Sequence, residues 1–132
     1  MPAPRPILVS LKRRADFLRV RGGARCATAA FVVEAKPREP QSKAADQARF
    51  GFTVTKRLGK AVERNRIKRR LRAAARDVHM HHARSEFDYV VIARPSALDT
   101  AYSILVDDLT KALDRVHRTS QGRNRDAKAQ AQ

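Results

Sequence analysis

The residues best suited to chemistry are basic and lie in one short segment, KRLGKAVERNRIKRRLRAAAR, residues 56–76. The segment contains ten Lys or Arg and a single acid, Glu63, so it carries a net charge of +9 out of the chain's +16. Arg dominates it, and a guanidinium grips phosphate oxygens with two parallel hydrogen bonds where a Lys ammonium acts as a point charge. The chemistry indicated is electrostatic binding of a polyanion, and nucleic acid is the commonest one.

The apolar residues of this segment and the residues after it predict an amphipathic helix. They recur at intervals of four, three and four positions, at Ile67, Leu71, Ala74 and Val78. At 3.6 residues per turn this spacing forms one narrow stripe on a helix over about 61–78. The residues predicted on the side away from the stripe are Asn65, Lys68, Arg69, Arg72 and Arg76. We therefore expect a buried stripe and a dense outward array of cations, with a helix N-terminus that also favours phosphate.

A solvated surface helix is the first alternative. Such helices intersperse charges of both signs, because like charges on adjacent turns destabilise a helix by a few tenths of a kcal/mol per pair. Glu63 is the only acid here, which favours a polyanion that relieves the repulsion. A membrane-surface helix is disfavoured, because the stripe has no aromatic residue and is needed for the core. No run of residues approaches the roughly 18 apolar positions of a spanning helix.

Metal chemistry and nucleophilic catalysis have weaker signals. The only clustered candidate metal ligands are His79, His81 and His82, and no Cys or convincing carboxylate set accompanies them, so a protein-only metallonuclease is a minor alternative. Cys26 lies in a strand-like segment and is expected to pack. As the single Cys it cannot form an internal disulfide, which agrees with a reducing cytoplasm. The N-terminus, MPAPRPILVS, does not have the apolar stretch of a secretory signal.

The elements that must position the basic helix follow from the remaining patterns. The 132 residues predict one domain, over 10–118, between a flexible proline-rich arm, residues 1–9, and a disordered tail, residues 119–132. The predicted order is helix, strand, strand, helix, strand, helix. The predicted elements besides the basic helix are a first helix capped by Ser10, strands over about 26–35, 49–55 and 88–95, and a last helix over about 101–117. Residues 36–48 are expected to form a long exposed hairpin loop.

The segment TVTKRLGKAVERNRIKRRLR resembles the signature of the protein subunit of bacterial ribonuclease P. The core of that signature is Arg-Asn-Arg followed by an apolar residue and Lys-Arg, and here it occupies residues 64–69. The blocks LKRRADFLRV and FDYVVIARP look like the family's other blocks and stand in their usual order. The resemblance therefore covers roughly residues 11–117, and the combination is far more specific than one Arg-rich helix.

The resemblance implies a function. In this family the protein binds a large catalytic RNA, and the cytoplasmic ribonucleoprotein removes the 5′ leader of precursor tRNA. The RNA subunit carries out the hydrolysis with Mg²⁺ that it and the substrate hold, so neither a catalytic residue nor a metal site is expected in the protein. The expected partners are the RNA subunit and precursor tRNA, with no membrane and no small-molecule substrate. A general RNA-binding or ribosomal-type protein without a role in tRNA processing remains the alternative.

The resemblance also assigns site residues. Those expected to bind the RNA subunit, together with Arg76 on the same helix, are Lys56, Arg57, Lys60, Arg64, Asn65, Arg66, Lys68, Arg69 and Arg72. Those expected to contact the leader, in a cleft between the first helix and the sheet, are Lys12, Arg13, Phe17 and Phe31. Core packing stays open as the alternative for both Phe residues. Arg21 and Glu34 stand where relatives often have aromatic residues, which predicts a more electrostatic leader site here.

The fold implied by the resemblance is α+β, a single domain of α-β-β-α-β-α order with a mixed sheet. It is similar to the second domain of ribosomal protein S5. The resemblance also implies a left-handed β-α-β crossover through the basic helix, whereas general sheet physics favours the right-handed form.

Overall fold

A computed structural model describes residues 8–38 and 48–130 of the chain, with side chains described as far as residue 119. The strands are β1 Val9–Ser10, β2 Ala24–Ala27, β3 Phe31–Pro37, β4 Arg49–Thr53 and β5 Phe87–Ala93. The helices are α1 Arg14–Val20, α2 Ala61–His82 and α3 Tyr102–Gln130, and short 3-10 turns span Lys56–Leu58 and Pro95–Leu98. The strands form one mixed sheet in the order β1-β4-β5-β3-β2. The predicted α+β class is confirmed.

The basic helix α2 connects two neighbouring parallel strands. β4 pairs with β5 in parallel, with Phe50 opposite Tyr89, and β3 pairs with β5 in the antiparallel sense. The predicted β-α-β unit is therefore present, and its left-handed sense stays a prediction. α2 makes up most of the connection between β4 and β5, so the sheet restrains the helix near both of its ends.

The main core lies between one face of the sheet and the helices α2 and α3. Its largest fully buried side chains include Tyr89, Phe31 and Phe50 from the strands. The predicted stripe of α2 is confirmed, because all four of its residues are buried and Ile67 has no exposed surface. α3 adds Leu105, Leu109 and Leu113. A buried Leu or Ile contributes about 1.5–3 kcal/mol, so this interface holds α2 firmly.

The short helix α1 covers part of the other face of the sheet. Leu11, Val20 and Val90 are buried there, with Phe17 and Ile92 packed against them. Gly51 of β4 lies directly under the ring of Phe17, since a Cβ at this position would be 2.4 Å from a ring carbon. The absent side chain of Gly51 therefore sets how closely α1 approaches the sheet.

A buried carboxylate joins α1 to the sheet through arginines. Asp88 has 2% of its surface exposed. It accepts hydrogen bonds from Arg49 Nε at 2.9 Å and Nη2 at 2.7 Å, and Arg19 Nη2 lies 3.5 Å away. Arg38 Nε completes the cluster at 3.6 Å. The hydrogen bond to Asp88 raises the pKa of Arg49. The cluster thus ties α1 and the chain after β3 to the paired strands β4 and β5.

The start of the chain differs from the prediction. Ser10 does not cap a helix, because Val9 and Ser10 pair in parallel with Arg49 and Phe50 of β4. The N–H of Leu11 also donates to the carbonyl of Phe50 at 2.9 Å, so the chain stays extended and α1 begins only at Arg14. The predicted flexible arm therefore ends before Val9, and its residues 1–7 lie outside the described residues.

The region predicted as one strand over 26–35 contains two antiparallel strands. Thr28 closes the turn between β2 and β3, since its N–H donates to the carbonyl of Phe31 at 2.8 Å and its Oγ1 accepts the N–H of Phe31 at 3.1 Å. The predicted hairpin over 36–48 is wrong, because the strands on either side of this loop, β3 and β4, do not pair with each other. β5 lies between them in the sheet. Residues 39–47 of that loop lie outside the described residues.

The last helix is longer than the sequence indicates. α3 continues to Gln130, past the end predicted near His117 and through most of the tail predicted to be disordered. The residues after position 119 have no branched apolar side chain to pack, but Ala, Arg, Lys and Gln among them are good helix formers. Residues 131–132 of the predicted tail lie outside the described residues.

A buried polar pair closes the core beside β5. His117 has 4% of its surface exposed, and its Nε2 lies 2.5 Å from the hydroxyl of Tyr89. That hydroxyl already accepts a hydrogen bond from the backbone N–H of Arg84 at 2.8 Å. We therefore assign the hydroxyl as the donor to Nε2 of a neutral His117. Burial, reinforced by the charge of Arg84, lowers the pKa of His117, and burial raises the pKa of Tyr89.

This pair predicts a pH dependence of stability. The pKa of His117 is about 6.5 in the unfolded chain and lower in the folded one, so the folded state binds fewer protons. The contribution of this group is complete above about pH 6.5 and is lost as the pH falls from there through the lowered pKa. Urea denaturation at several pH values from 8 to 5 measures the effect. His117→Gln keeps an acceptor for Tyr89 without titrating and is expected to flatten the curve; identical pH curves for the two proteins would contradict the assignment.

Candidate nucleic-acid interface

The outward side of α2 is a row of cations. The side chains of Asn65, Arg66, Lys68, Arg69 and Arg72 are exposed, and those of Arg64 and Arg76 are half-buried. Lys56, Arg57 and Lys60 are exposed on the 3-10 turn and linker that lead into the helix. At 1.5 Å per residue the 22 residues of α2 extend over about 33 Å. We call these ten residues the basic row; the structure brings all of the predicted RNA-binding residues together along it.

Arg70 is a cation of the segment that the protein uses to hold its own backbone. Its guanidinium donates to the carbonyls of Ala97 at 2.7 Å and Leu98 at 2.6 Å, and also to that of Thr100. It therefore fastens the chain after β5 to α2. No role was predicted for Arg70 from the sequence. The signal available was its position, adjacent to Leu71 and one turn from Ile67 in the buried stripe.

Two contacts within the protein orient residues of the basic row. The guanidinium carbon of Arg72 lies 5.9 Å from the ring centroid of Phe52, a cation–π geometry that holds Arg72 near the sheet. At the start of α2, Glu63 Oε1 accepts the backbone N–H of Lys60 at 3.3 Å. The lone acid of the segment is thus a helix cap. The N–H of Lys60, which precedes the first turn of α2, is thus satisfied by the protein, and the phosphate contact expected at the N–H groups of the first turn stays a prediction.

A depression between α2 and the start of α3 adjoins the basic row. It has a volume of about 470 Å³ and is lined by Arg69, Arg70 and Arg76 together with Asp77 and Tyr102. The hydroxyl of Tyr102 donates to the carboxylate of Asp77. Within the described residues, neither Arg69 nor Arg76 forms an ion pair with Asp77 or another acid. The depression therefore offers a concave place where both guanidinium groups can bind a phosphate.

The groove predicted between the first helix and the sheet is present. A cavity of about 130 Å³ opens there, which we call the α1 groove, and it is lined by Phe17, Leu18, Val20, Arg21, Glu34, Thr53, Val90 and Ile92. Phe17 is half-buried, so part of its ring faces the groove. Lys12 and Arg13 are exposed and line an adjacent depression with Asp16 and Arg49. They lie beside the groove, not in it.

Phe31 is not part of the groove. It has no exposed surface and belongs to the main core under α2 and α3. The leader contact assigned to it by resemblance is therefore incompatible with this fold, and the core-packing alternative accounts for it. The physical reason is strand alternation, because Phe31, Val33 and Ala35 face the helices while Glu34 faces the groove.

The three histidines at the end of α2 do not converge. His79 Nδ1 lies 3.2 Å and 3.0 Å from the carbonyl oxygens of Ala75 and Arg76 in its own helix. His82 Nδ1 lies 3.9 Å from Asp114 Oδ1, and His81 is exposed. Within residues 8–38 and 48–130, no three His, Cys, Asp or Glu side chains are grouped as a metal site requires. In the same ranges, no helix is long and apolar enough to cross a membrane.

The comparisons with known proteins agree with one another. A family described as Ribonuclease P matches residues 7–117. The ribonuclease P protein component of Paramagnetospirillum magneticum is 47% identical over 107 residues, which are 80% of each chain. The solved RNase P protein of Staphylococcus aureus has 34% identity and a TM-score of 0.65, covering 82% of this chain and 94% of that one. That of Thermotoga maritima has 28% identity and a TM-score of 0.67, covering 80% and 96%.

The contact between Gly51 and Phe17 predicts a specific mutational effect. Gly51→Ala forces the ring of Phe17 and α1 away from β4, and overpacking of this kind costs about 1–3 kcal/mol. Urea denaturation measures the change in the free energy of unfolding. In a Phe17→Ala background the ring is absent, so the same Gly51→Ala change is expected to cost clearly less. Equal costs in the two backgrounds would show that this ring does not set the position of α1.

Proposed function

Because this chain belongs to the ribonuclease P protein family, we propose that it is a protein subunit that binds the catalytic RNA of ribonuclease P and the 5′ leader of precursor tRNA. The observation that carries the proposal is the state of the basic row. Within the described residues, none of its nine Lys and Arg side chains forms an ion pair with an acid. A large RNA supplies the phosphates that they lack.

The chemistry of the row suits a folded polyanion. Arg is the commonest residue in it, and the planar guanidinium can bind two phosphate oxygens at once. Lys56, Arg57 and Lys60 extend the row beyond the start of α2, so successive phosphates can be contacted along its length. Asn65 has both donors and an acceptor and suits a base edge or a sugar hydroxyl. The preference for RNA over DNA rests on the family, because charge alone does not separate them.

The α1 groove suits a single-stranded leader. Unstacked bases bind to aromatic side chains largely independently of sequence, and Phe17 presents part of its ring in the groove. Lys12 and Arg13 are exposed beside it and can hold leader phosphates. Because α1 and α2 cover opposite faces of the sheet, one protein can contact the catalytic RNA and the leader through different surfaces.

We assign the hydrolysis to the RNA subunit. Mg²⁺ prefers oxygen ligands, but Asp88, the buried carboxylate beside α1, is engaged by arginines, and the described residues hold no cluster that fits a magnesium site. The proposal places Mg²⁺ with the RNA and the substrate, as the family resemblance implies. The protein holds RNA and leader in position and lowers repulsion between them. Its proposed location is the cytoplasm, where precursor tRNA is processed.

Reconstitution tests the proposal. The purified protein is expected to raise kcat/KM for cleavage of precursor tRNA by its RNA subunit at low magnesium concentration, and to cleave nothing alone. A general RNA-binding protein, the alternative function, would bind the RNA without increasing 5′ maturation. Cleavage that persists after complete removal of RNA would contradict the noncatalytic role.

A single arginine of the basic row tests the contact surface. Arg66→Ala is expected to weaken binding of the RNA subunit and to reduce the slope of log K against log salt by about one, the value for one lost phosphate contact. Arg115→Ala is the matched control, because Arg115 is also exposed but lies on α3. Filter binding between 50 and 300 mM salt measures both slopes. A slope unchanged by Arg66→Ala would remove Arg66 from the interface.

A further inference from the structure

The α1 groove contains a carboxylate that the fold leaves without a partner. Glu34 has 8% of its surface exposed and lines the cavity of about 130 Å³. Within the described residues, no hydrogen bond or ion pair reaches its carboxylate. Arg25 stands opposite Glu34 in the register of β2 and β3, but no ion pair joins the two side chains.

The contrast with Asp88 makes this arrangement informative. Both acids lie on the same face of the sheet, and the fold surrounds Asp88 with three arginines. Glu34 shares its cavity with mainly apolar side chains, including Phe17, and with Arg21, which forms no ion pair with it. The residue is largely buried, but its carboxylate oxygens are not among the fully buried atoms and can be reached from the groove. The protein therefore carries an acceptor that a ligand in the groove can use.

We propose that Glu34 reads one base of the single-stranded RNA in the α1 groove, favouring guanine and disfavouring uracil. This inference rests on the proposed function, in which the leader of precursor tRNA occupies the groove. An ionised carboxylate accepts hydrogen bonds and cannot donate them. Its negative charge repels phosphate. Because it can only accept hydrogen bonds, it selects bases by the donors on their edges. Base-paired RNA hides the same edges, so the readout applies to an unpaired nucleotide.

The ranking of the bases follows from their donor patterns. Guanine has two adjacent donors, N1–H and the N2 amino group, which match the two oxygens of a carboxylate. Cytosine and adenine each offer one amino group next to an acceptor, and Glu accepts from such an amino group in base recognition. Uracil has a single N–H between two carbonyl oxygens, which face the carboxylate unfavourably. The ring of Phe17 can stack on the selected base, and the apolar walls strengthen its hydrogen bonds by excluding water.

The test uses the full-length protein assembled with its RNA subunit. Precursor tRNAs carry each of the four bases in turn at every leader position, and kcat/KM is measured for each. We expect one leader position at which guanine exceeds uracil by about tenfold, within the range of discrimination that a two-bond base contact gives. Glu34→Gln replaces one acceptor with a donor and is expected to reduce that ratio to less than about twofold.

Controls separate base reading from a structural role. Glu86→Gln removes the same charge from an exposed acid outside the groove and is expected to keep the tenfold preference. Glu34→Gln and Glu34→Leu are both expected to unfold within a few degrees of the natural protein, because no hydrogen bond or ion pair within the described residues depends on this carboxylate. A large drop in unfolding temperature for both variants would overturn the proposal by showing that Glu34 supports the fold.

The remaining outcomes distinguish this inference from the proposed function. If the protein stimulates leader-dependent cleavage but the four bases agree within twofold at every position, Glu34 reads no base and the proposed function stands. A guanine preference that survives Glu34→Gln also overturns the inference alone. Failure of the protein to stimulate cleavage of any precursor overturns both.

Discussion

The burial of one apolar stripe on α2 is the interaction on which the rest of the structure depends. A buried Ile or Leu contributes about 1.5–3 kcal/mol, whereas each like-charge pair on adjacent turns costs only a few tenths of a kcal/mol. Ile67 and Leu71 alone therefore outweigh several such repulsions, and both are essentially unexposed. The core can hold the helix while its other side keeps a charge that no acid among the described residues offsets.

Arginine has two distinct uses in this chain, and the acceptors around each residue separate them. Arg49 and Arg38 reach the carboxylate of Asp88, and Arg70 donates to backbone carbonyls, so these side chains hold the fold together. Arg66 and Arg69 are exposed and have no such acceptor in the part of the chain that the structure describes. The sequence shows the same residue type in both settings. Only the positions of the acceptors show which cations are available to a partner.

The parts of the fold that the sequence predicts are those with a sustained period. The four-three-four spacing on α2 and the apolar run of β5 were enough to place both elements, whereas the β-α-β crossover through α2 was expected only from the family resemblance. β1 and β2 have two and four residues, which is too few for a period, and the turn at Thr28 has no Gly or Pro to mark it. Pairing with another strand defines these elements, β1 with the distant strand β4 and β2 with β3 across the turn at Thr28.

The charge of the candidate site could be predicted from the sequence. The side of the sheet on which each groove residue lies could not. Composition and helical spacing predict the part of the basic row that comprises Asn65, Lys68, Arg69, Arg72 and Arg76, and the family resemblance supplied the rest. Phe31 and Glu34 are three residues apart on one strand, yet one lies in the core and the other in the groove. A resemblance transfers positions in the chain and does not show which side of a strand each residue occupies. Only the placement of the side chains shows that no described residue pairs with Glu34.

The central claim is that RNA covers the outward side of α2. Modification of arginines with phenylglyoxal, read by mass spectrometry with and without the RNA subunit, tests it most directly. We expect Arg66, Arg69 and Arg72 to react in the free protein and to be protected in the particle, while Arg115 reacts in both. Equal reactivity of the three α2 arginines in the free protein and in the assembled particle would contradict the account.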